Sequence, residues 1–132
     1  MPVTGKKHKV LLINPPSKRP VLRDYYCSTI PKARYYWQPI DLLSMGAMLK
    51  GRAEIKILDC VAGGYSFRHA LEIVEEFAPD SVFALISTLT EKQDMAFLEK
   101  LAKRGRRLVA GGEAALDPCF QFEKYPFIDG LV

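Results

Sequence analysis

Two short loops hold the residues of this chain that are best suited to bind a ligand. Ser87-Thr88-Leu89-Thr90 follows the apolar run 81–86, and Ala110-Gly111-Gly112-Glu113 follows the run 106–110. Hydroxyl groups and residues without bulky side chains, placed just past adjacent parallel strands, are typical of sites for flat or phosphate-bearing ligands. The sequence therefore predicts a ligand-binding protein first, and an enzyme only second.

The elements that must position these loops alternate along the chain. Compact apolar runs predict five strands, and amphipathic or capped segments predict four helices between them. The predicted strands cover 9–14, 55–58, 82–86, 108–110 and 127–132, and the predicted helices cover 40–50, 70–78, 90–104 and 117–124. Strict alternation with right-handed crossovers indicates an α/β fold. We expect a doubly wound, flavodoxin-like (Rossmann-like) five-stranded parallel sheet of order 2-1-3-4-5.

Local signals set the predicted helix ends. Thr90 with Gln93 fits a capping box, and Asp117 followed by Pro118 fits an N-cap with proline at the first helical position. Gly51 is placed to end the first helix in the left-handed conformation. The chain stops within the predicted fifth strand, which suggests a fragment of a longer protein.

Bulk composition describes one ordinary domain. The 132 residues are 48% hydrophobic and 26% charged, and no apolar run approaches the roughly 18 residues that span a membrane. The polar N-terminus has no signal-peptide core, so we expect a cytoplasmic protein without a membrane partner. The three cysteines show no CxxC spacing, which argues against a zinc site or an iron–sulfur cluster.

The segment 15–38 is long, basic and aromatic. Residues 1–38 carry eight Lys/Arg and one acid, whereas the rest of the chain is net negative. The segment joins strand one to helix one with 24 residues where about 2–6 suffice. Three interpretations stay open, of which nucleic-acid binding is the least favoured: a lid on the domain's own edge, contact with a cofactor or partner, and binding of nucleic acid. Residues 1–8 are expected to be flexible.

The sequence argues against several classes of protein that commonly have this fold. There is no GxGxxG after strand one and no GxxxxGK[ST]. A receiver domain needs acids where Asn14 and Ser87-Thr88 stand. A flavodoxin needs a phosphate loop that Pro15-Pro16 cannot provide, because proline has no backbone N–H.

The motifs that remain resemble the cobalamin-binding domain at the N-terminus of many radical S-adenosylmethionine enzymes. Asn14-Pro15-Pro16 follows strand one, Ser87-Thr88-Leu89-Thr90 follows strand three, and Gly111-Gly112 follows strand four. The stretch Pro39-Ile40-Asp41-Leu42-Leu43, with Gly46, is also typical of that family. The resemblance spans essentially residues 1–132, read as a single domain.

The resemblance implies a site for the cofactor. Gly111 and Gly112 would leave space for the nucleotide tail of cobalamin, Ser87 and Thr88 would offer hydroxyls, and the corrin ring would lie near Asn14. The implied cofactor-binding residues are Asn14, Pro15, Pro16, Ser87, Thr88, Leu89, Thr90, Gly111, Gly112 and Glu113.

One departure from the better-known cobalamin pattern concerns cobalt. Mutases of the Asp-x-His-x-x-Gly type supply a cobalt-ligating His after strand one, whereas this chain has Asn14-Pro15-Pro16 there. Neither His8 nor His69 lies at that position, so no metal ligand is predicted. Radical enzymes of the family commonly lack this His.

The resemblance implies that the full-length protein is a cobalamin-dependent radical methyltransferase. S-adenosylmethionine and an iron–sulfur cluster would belong to a following C-terminal domain, and this chain alone would only hold the cofactor. The alternative is a flavodoxin-like interaction module that binds a protein or nucleic acid through its basic aromatic loop. Salt separates the two, because binding to phosphates weakens steeply with ionic strength.

Overall fold

The computed structural model describes residues 5–29, 38–102 and 105–132. Its strands in chain order are β1 (Lys9–Asn14), β2 (Leu22–Asp24), β3 (Cys27–Thr29), β4 (Glu54–Asp59), β5 (Ser81–Leu85), β6 (Arg107–Gly111) and β7 (Gly130–Leu131). Its helices are α1 (Ile40–Leu49), α2 (Phe67–Phe77), α3 (Glu91–Ala102) and α4 (Glu113–Leu116), with 3-10 turns at Thr88–Thr90 and Phe122–Lys124.

Five of these strands form one all-parallel sheet with the order β4-β1-β5-β6-β7. Leu12 in the central β1 pairs with Ile57 on one side and with Phe83 on the other. The prediction of an α/β protein with a five-stranded parallel sheet is therefore confirmed.

The strand order differs in its numbering from the predicted 2-1-3-4-5. No strand is predicted in the segment after β1, where β2 and β3 form a separate antiparallel hairpin. Strands of three residues are too short to show an alternating pattern in the sequence. Within the large sheet alone, the first strand still lies between the second and the third.

The core has two layers, one on each face of the sheet. Alternate residues of β1 point to opposite faces. On one face, Leu11 and Ile13 pack with the apolar sides of α2 and α3, and on the other face Leu12 packs with Leu42 of α1. Helices on both faces explain why the central strands read as continuous apolar runs.

Helix α2 begins three residues before its predicted start. Ser66 is its N-cap, and its hydroxyl accepts a hydrogen bond from the His69 backbone N–H at 3.1 Å. Its C-cap, Ala78, is left-handed and precedes Pro79, as expected for a helix that cannot continue.

Two predicted caps were wrong. Gln93 does not close a capping box with Thr90, because its amide donates to Ser17 Oγ at 2.8 Å. Asp117 ends α4 instead of starting a helix, and its carboxylate accepts from the Cys119 N–H at 2.8 Å. The segment predicted as a helix over 117–124 is a turn followed by the short 3-10 turn, and the last strand is only Gly130–Leu131.

Helix α1 is apolar on both its inner and its outer side. Only Leu42 is buried, whereas Ile40, Leu43 and Met48 are exposed. Gly51, with φ of 81°, follows the end of this helix as predicted. Within the described ranges, no helix has the length and apolar character needed to cross a membrane.

Candidate functional site

The predicted loops meet at the carboxyl edge of the sheet. Strands β1, β5 and β6 run parallel, so their last residues, Asn14, Leu85 and Gly111, lie along one edge. Helix α1 follows β1 on one face, and α3 follows β5 on the other. Connections that diverge in this way leave a crevice between the two strands, which is the usual ligand position in doubly wound sheets.

A side chain of the same chain fills this crevice. Residues 15–29, which we call the strap, follow β1 and carry the hairpin of β2 and β3. The guanidinium of Arg23 in β2 donates through Nη1 to Asn14 Oδ1 at 2.7 Å and to the Pro15 carbonyl at 2.8 Å. Arg23 is only 1% exposed.

Asp94 in α3 compensates the charge of Arg23. Its carboxylate accepts from Arg23 Nη2 at 2.8 Å and from Nε at 3.1 Å. The Thr90 hydroxyl and the Ser87 N–H donate to the same carboxylate at 2.7 and 3.2 Å. Burial raises the pKa of Asp94, and these donors, Arg23 first among them, oppose that rise.

The two glycines at the end of β6 lie against the strap. A Cβ on Gly112 would stand 2.5 Å from the Arg23 carbonyl oxygen and 3.0 Å from the Ile86 carbonyl oxygen. A Cβ on Gly111 would overlap the Tyr25 hydroxyl and the Phe83 ring. Because Gly111 and Gly112 have no side chains, the backbone leaves a slot beside them. In this conformation the strap occupies that slot.

Tyr25 holds the strap on this slot. Its hydroxyl donates to the Val132 carbonyl at 2.5 Å and also hydrogen-bonds with the backbone of Gly112. Partial burial raises the pKa of this phenol, so it stays protonated and able to donate. By contrast, the neighbouring Tyr26 is 94% exposed.

The Ser87-Thr88 hydroxyls are bonded to a carboxylate of the chain. Glu113, at the start of α4, accepts from Ser87 Oγ at 3.0 Å, from Thr88 N at 2.9 Å and from Thr88 Oγ1 at 2.8 Å. Three donors converging on one carboxylate form the kind of anion site that a ligand phosphate could use. A phosphate would have to displace Glu113, so this loop favours a neutral ligand group.

The structure brings most of the predicted residues together. Asn14, Pro15 and Thr90 surround Arg23, while Ser87, Thr88 and Glu113 form one hydrogen-bonded cluster beside Gly112. Leu89 is 53% exposed, and Pro16 is buried and lines a separate cleft.

No sequence pattern singles out Arg23, Tyr25 or Asp94 as site residues. Arg23 and Tyr25 belong to the basic aromatic segment, where no pattern shows which cation turns inward. The aromatic residues at 35–37 lie outside the described residues.

Metal binding finds no support among the described residues. They contain no group of three His, Cys, Asp or Glu side chains that could hold a metal ion. His8 lies at the opposite edge of the sheet, where its ring bonds to Ser81 Oγ at 2.8 Å, and the ring of His69 packs edge-on against Tyr65. Burial raises the pKa of the Cys60 thiol to about 12, so it is not a ready thiolate ligand.

No protein-family model, curated protein or solved structure matches this chain. Its class therefore rests on its own architecture. It is an α/β protein with a five-stranded parallel sheet, and the crevice at the carboxyl edge of that sheet is closed by the strap.

Proposed function

We propose that this chain is a flavodoxin-like cobalamin-binding domain, the N-terminal part of a radical S-adenosylmethionine methyltransferase located in the cytoplasm. The observation that carries the proposal is the slot at Gly111 and Gly112, where any Cβ would collide with the strap or the sheet. A slot of this kind suits a flat ligand segment that needs space free of side chains. The same edge carries Asn14 and the Ser87-Thr88 loop, within the reach of a large ligand.

The electrostatics of the site favour a ligand such as cobalamin over a phosphate-rich nucleotide. Arg23 is neutralised by Asp94, and the donors of the Ser87-Thr88 loop are already bonded to Glu113. The rim of a corrin ring carries neutral amides, which can donate to Glu113 and accept from the Ser87-Thr88 hydroxyls. When bound, cobalamin would supply a cobalt-held methyl group, and this chain would only hold and shield it.

The side chain of Tyr25 must move for the ligand to enter. Tyr25 fills the position beside Gly111, so the free protein binds the ligand only after its hydroxyl releases Val132 and Gly112. When a group of the protein itself occupies the site, only the molecules in which that group has moved away can bind. The apparent affinity for the ligand is reduced in proportion to the fraction of such molecules. Removing the Tyr25 ring should therefore strengthen ligand binding.

The test mixes the full chain with hydroxocobalamin, removes free ligand on a desalting column and records the corrin absorption of the protein fraction. We expect the corrin to co-elute with the wild type and more of it with Tyr25→Ala. Tyr26→Ala is the matched control, because its ring is exposed, and it should match the wild type. Gly111→Val should lose the corrin, with circular dichroism to confirm folding. A colourless fraction for both the wild type and Tyr25→Ala would overturn the proposal.

The alternative function is a flavodoxin-like interaction module that binds a protein or nucleic acid through the basic aromatic loop, residues 15–38. The exposed Lys18 and Arg19, together with Tyr26, favour it. Binding of single-stranded nucleic acid that falls steeply with added salt, with no corrin retained, would support this alternative. Corrin binding that is insensitive to salt would exclude it as the main function.

A further inference from the structure

A cavity lies beside residues 16–20 of the strap. It has a volume of about 500 Å³, within the size range of small-molecule sites. The strap residues 16–20 form one wall, the loop 61–66 forms another, and Phe67 and Gln93 complete it. Of the proposed cofactor residues it includes only Pro16. We call this cavity the strap cleft.

The charges around the strap cleft have one sign. Its charged lining residues are Lys18 and Arg19, and both side chains are exposed. Within the described ranges neither cation forms an ion pair, whereas Arg23 on the same strap is fully paired. Unpaired guanidinium and ammonium groups at the mouth of a cavity attract phosphate or carboxylate.

The lining of the strap cleft also includes two aromatic side chains. Tyr65 and Phe67 lie in its lining beside the buried Val61. The Phe67 ring is held edge-on by Phe97 in the core, with 5.1 Å between ring centroids. A fixed aromatic surface next to cations provides a place for a flat ring to stack.

The strap cleft is held in shape by Ser17. Its hydroxyl accepts from Gln93 Nε2 at 2.8 Å, which ties the strap to α3, and from the Arg19 backbone N–H at 3.2 Å. A neighbouring cavity of about 470 Å³ shares Arg19 and Gln93 and is also lined by Thr88–Thr90, Glu91 and Lys92. Arg19 therefore lines both cavities.

We infer that the strap cleft binds a small aromatic phosphate of mononucleotide size. Its phosphate pairs with Arg19 and Lys18, and its ring stacks on Phe67 and Tyr65. The inference goes beyond the proposed cofactor site, because the Gly111–Gly112 slot contributes no residue to it.

The test titrates the full chain with adenosine monophosphate, adenosine and inorganic phosphate in a calorimeter. Adenosine monophosphate should bind more tightly than either of its halves. Arg19→Ala should weaken it about tenfold, as expected for one charge-assisted hydrogen bond, and leave adenosine unchanged. Phe67→Ala should weaken adenosine monophosphate and adenosine alike.

Arg52→Ala is the matched control, since Arg52 is an exposed cation just before β4, at the opposite edge of the sheet. It should bind like the wild type. The inference would be overturned if the chain gave no heat of binding with adenosine monophosphate. It would also be overturned if Arg52→Ala lost as much affinity as Arg19→Ala, or if inorganic phosphate bound as tightly as adenosine monophosphate. If the chain retained corrin but did not bind adenosine monophosphate, the inference about the strap cleft would be wrong and the proposed function would still stand.

Discussion

The guanidinium of Arg23 donates to both carboxylate oxygens of Asp94, and neither side chain is accessible to solvent. The two residues are 71 positions apart, one in the strap and the other in α3. A buried charge needs both a counter-ion and hydrogen bonds, and here Asn14, Pro15 and Thr90 complete the set. The strap is therefore fixed on the sheet edge by a satisfied ionic network.

Arg23→Met should destabilise the protein by about 3–5 kcal/mol, because it leaves the Asp94 carboxylate buried without a counter-ion. Urea unfolding measures the loss. The double variant Arg23→Met/Asp94→Leu should regain part of it, since it removes both charges but leaves Asn14 and the Pro15 carbonyl without their donor.

Arg19→Met is the control on the same strap. Its side chain is exposed, so the change in unfolding free energy should stay within about 0.5 kcal/mol. Equal losses for Arg19→Met and Arg23→Met would contradict the assignment of Arg23 as the anchor.

The parallel sheet could be predicted because its central strands are buried on both faces. The run 82–86 is apolar throughout, and its strand is Ser81–Leu85, one residue away at each end. Helix α2 was predicted too short at its start, because Phe67, Arg68 and His69 lie on its exposed first turn and Ser66 was not recognised as its cap.

The predicted fold implied that the predicted loops would meet at one edge of the sheet. It did not imply that the strap and Glu113 would occupy the site that these loops form. A basic side chain in a basic segment is expected to be exposed to solvent unless an acidic partner is identified. The partner of Arg23 is Asp94, which lies far along the chain in a helix, so the sequence does not indicate the pair. Likewise, the Ser87-Thr88 hydroxyls gave no sign that Glu113 would accept from them. Pairings of this kind depend on tertiary packing and not on local pattern.

Gly112→Ala should cost about 2–6 kcal/mol in unfolding free energy. Its φ of 96° and ψ of −164° lie in a region that is open almost only to glycine, with strain of about 1–3 kcal/mol. The added Cβ would also press on the Arg23 carbonyl, and overpacking adds about 1–3 kcal/mol. Thermal and urea unfolding of the purified variant measure the sum.

Gly51→Ala is the matched control, because Gly51 also has positive φ but has open space around it. It should cost only about 1 kcal/mol, for the left-handed conformation alone. If the two variants lost the same stability, the close approach of the strap to Gly112 would be wrong.

Ser66→Ala should destabilise the protein by about 1 kcal/mol, because the hydroxyl of Ser66 caps the first turn of α2. Ser66→Asp keeps an acceptor there and should stay close to the wild type in urea unfolding. Ser44→Ala, an exposed position inside α1, is the control and should not destabilise. If Ser66→Ala did not change the free energy of unfolding, the cap would contribute nothing to stability in solution.

Ionisation of Asp24, in the strap beside α1, should destabilise the folded protein as pH rises. Asp24 accepts from the Asp41 N–H at 3.3 Å, and the Tyr25 N–H donates to the Asp41 carboxylate at 2.8 Å. Burial, and then the charges of Asp41 and Asp59, raise the pKa of Asp24 from 3.8 to about 6. The folded state thus favours the protonated carboxyl, a stabilisation complete below about pH 4 and lost as pH rises through about 6.

Urea unfolding from about pH 4 to about pH 7.5 tests this dependence. Asp24→Asn carries no ionisable group there, so the difference between wild type and variant should change across that window, with the wild type losing stability relative to Asp24→Asn as pH rises. Glu99→Gln, at an exposed carboxylate on α3, is the control and should leave the wild-type profile unchanged. A constant difference between Asp24→Asn and the wild type would mean that Asp24 titrates alike in the folded and unfolded chains. In that case its carboxyl is not buried beside Asp41 in solution.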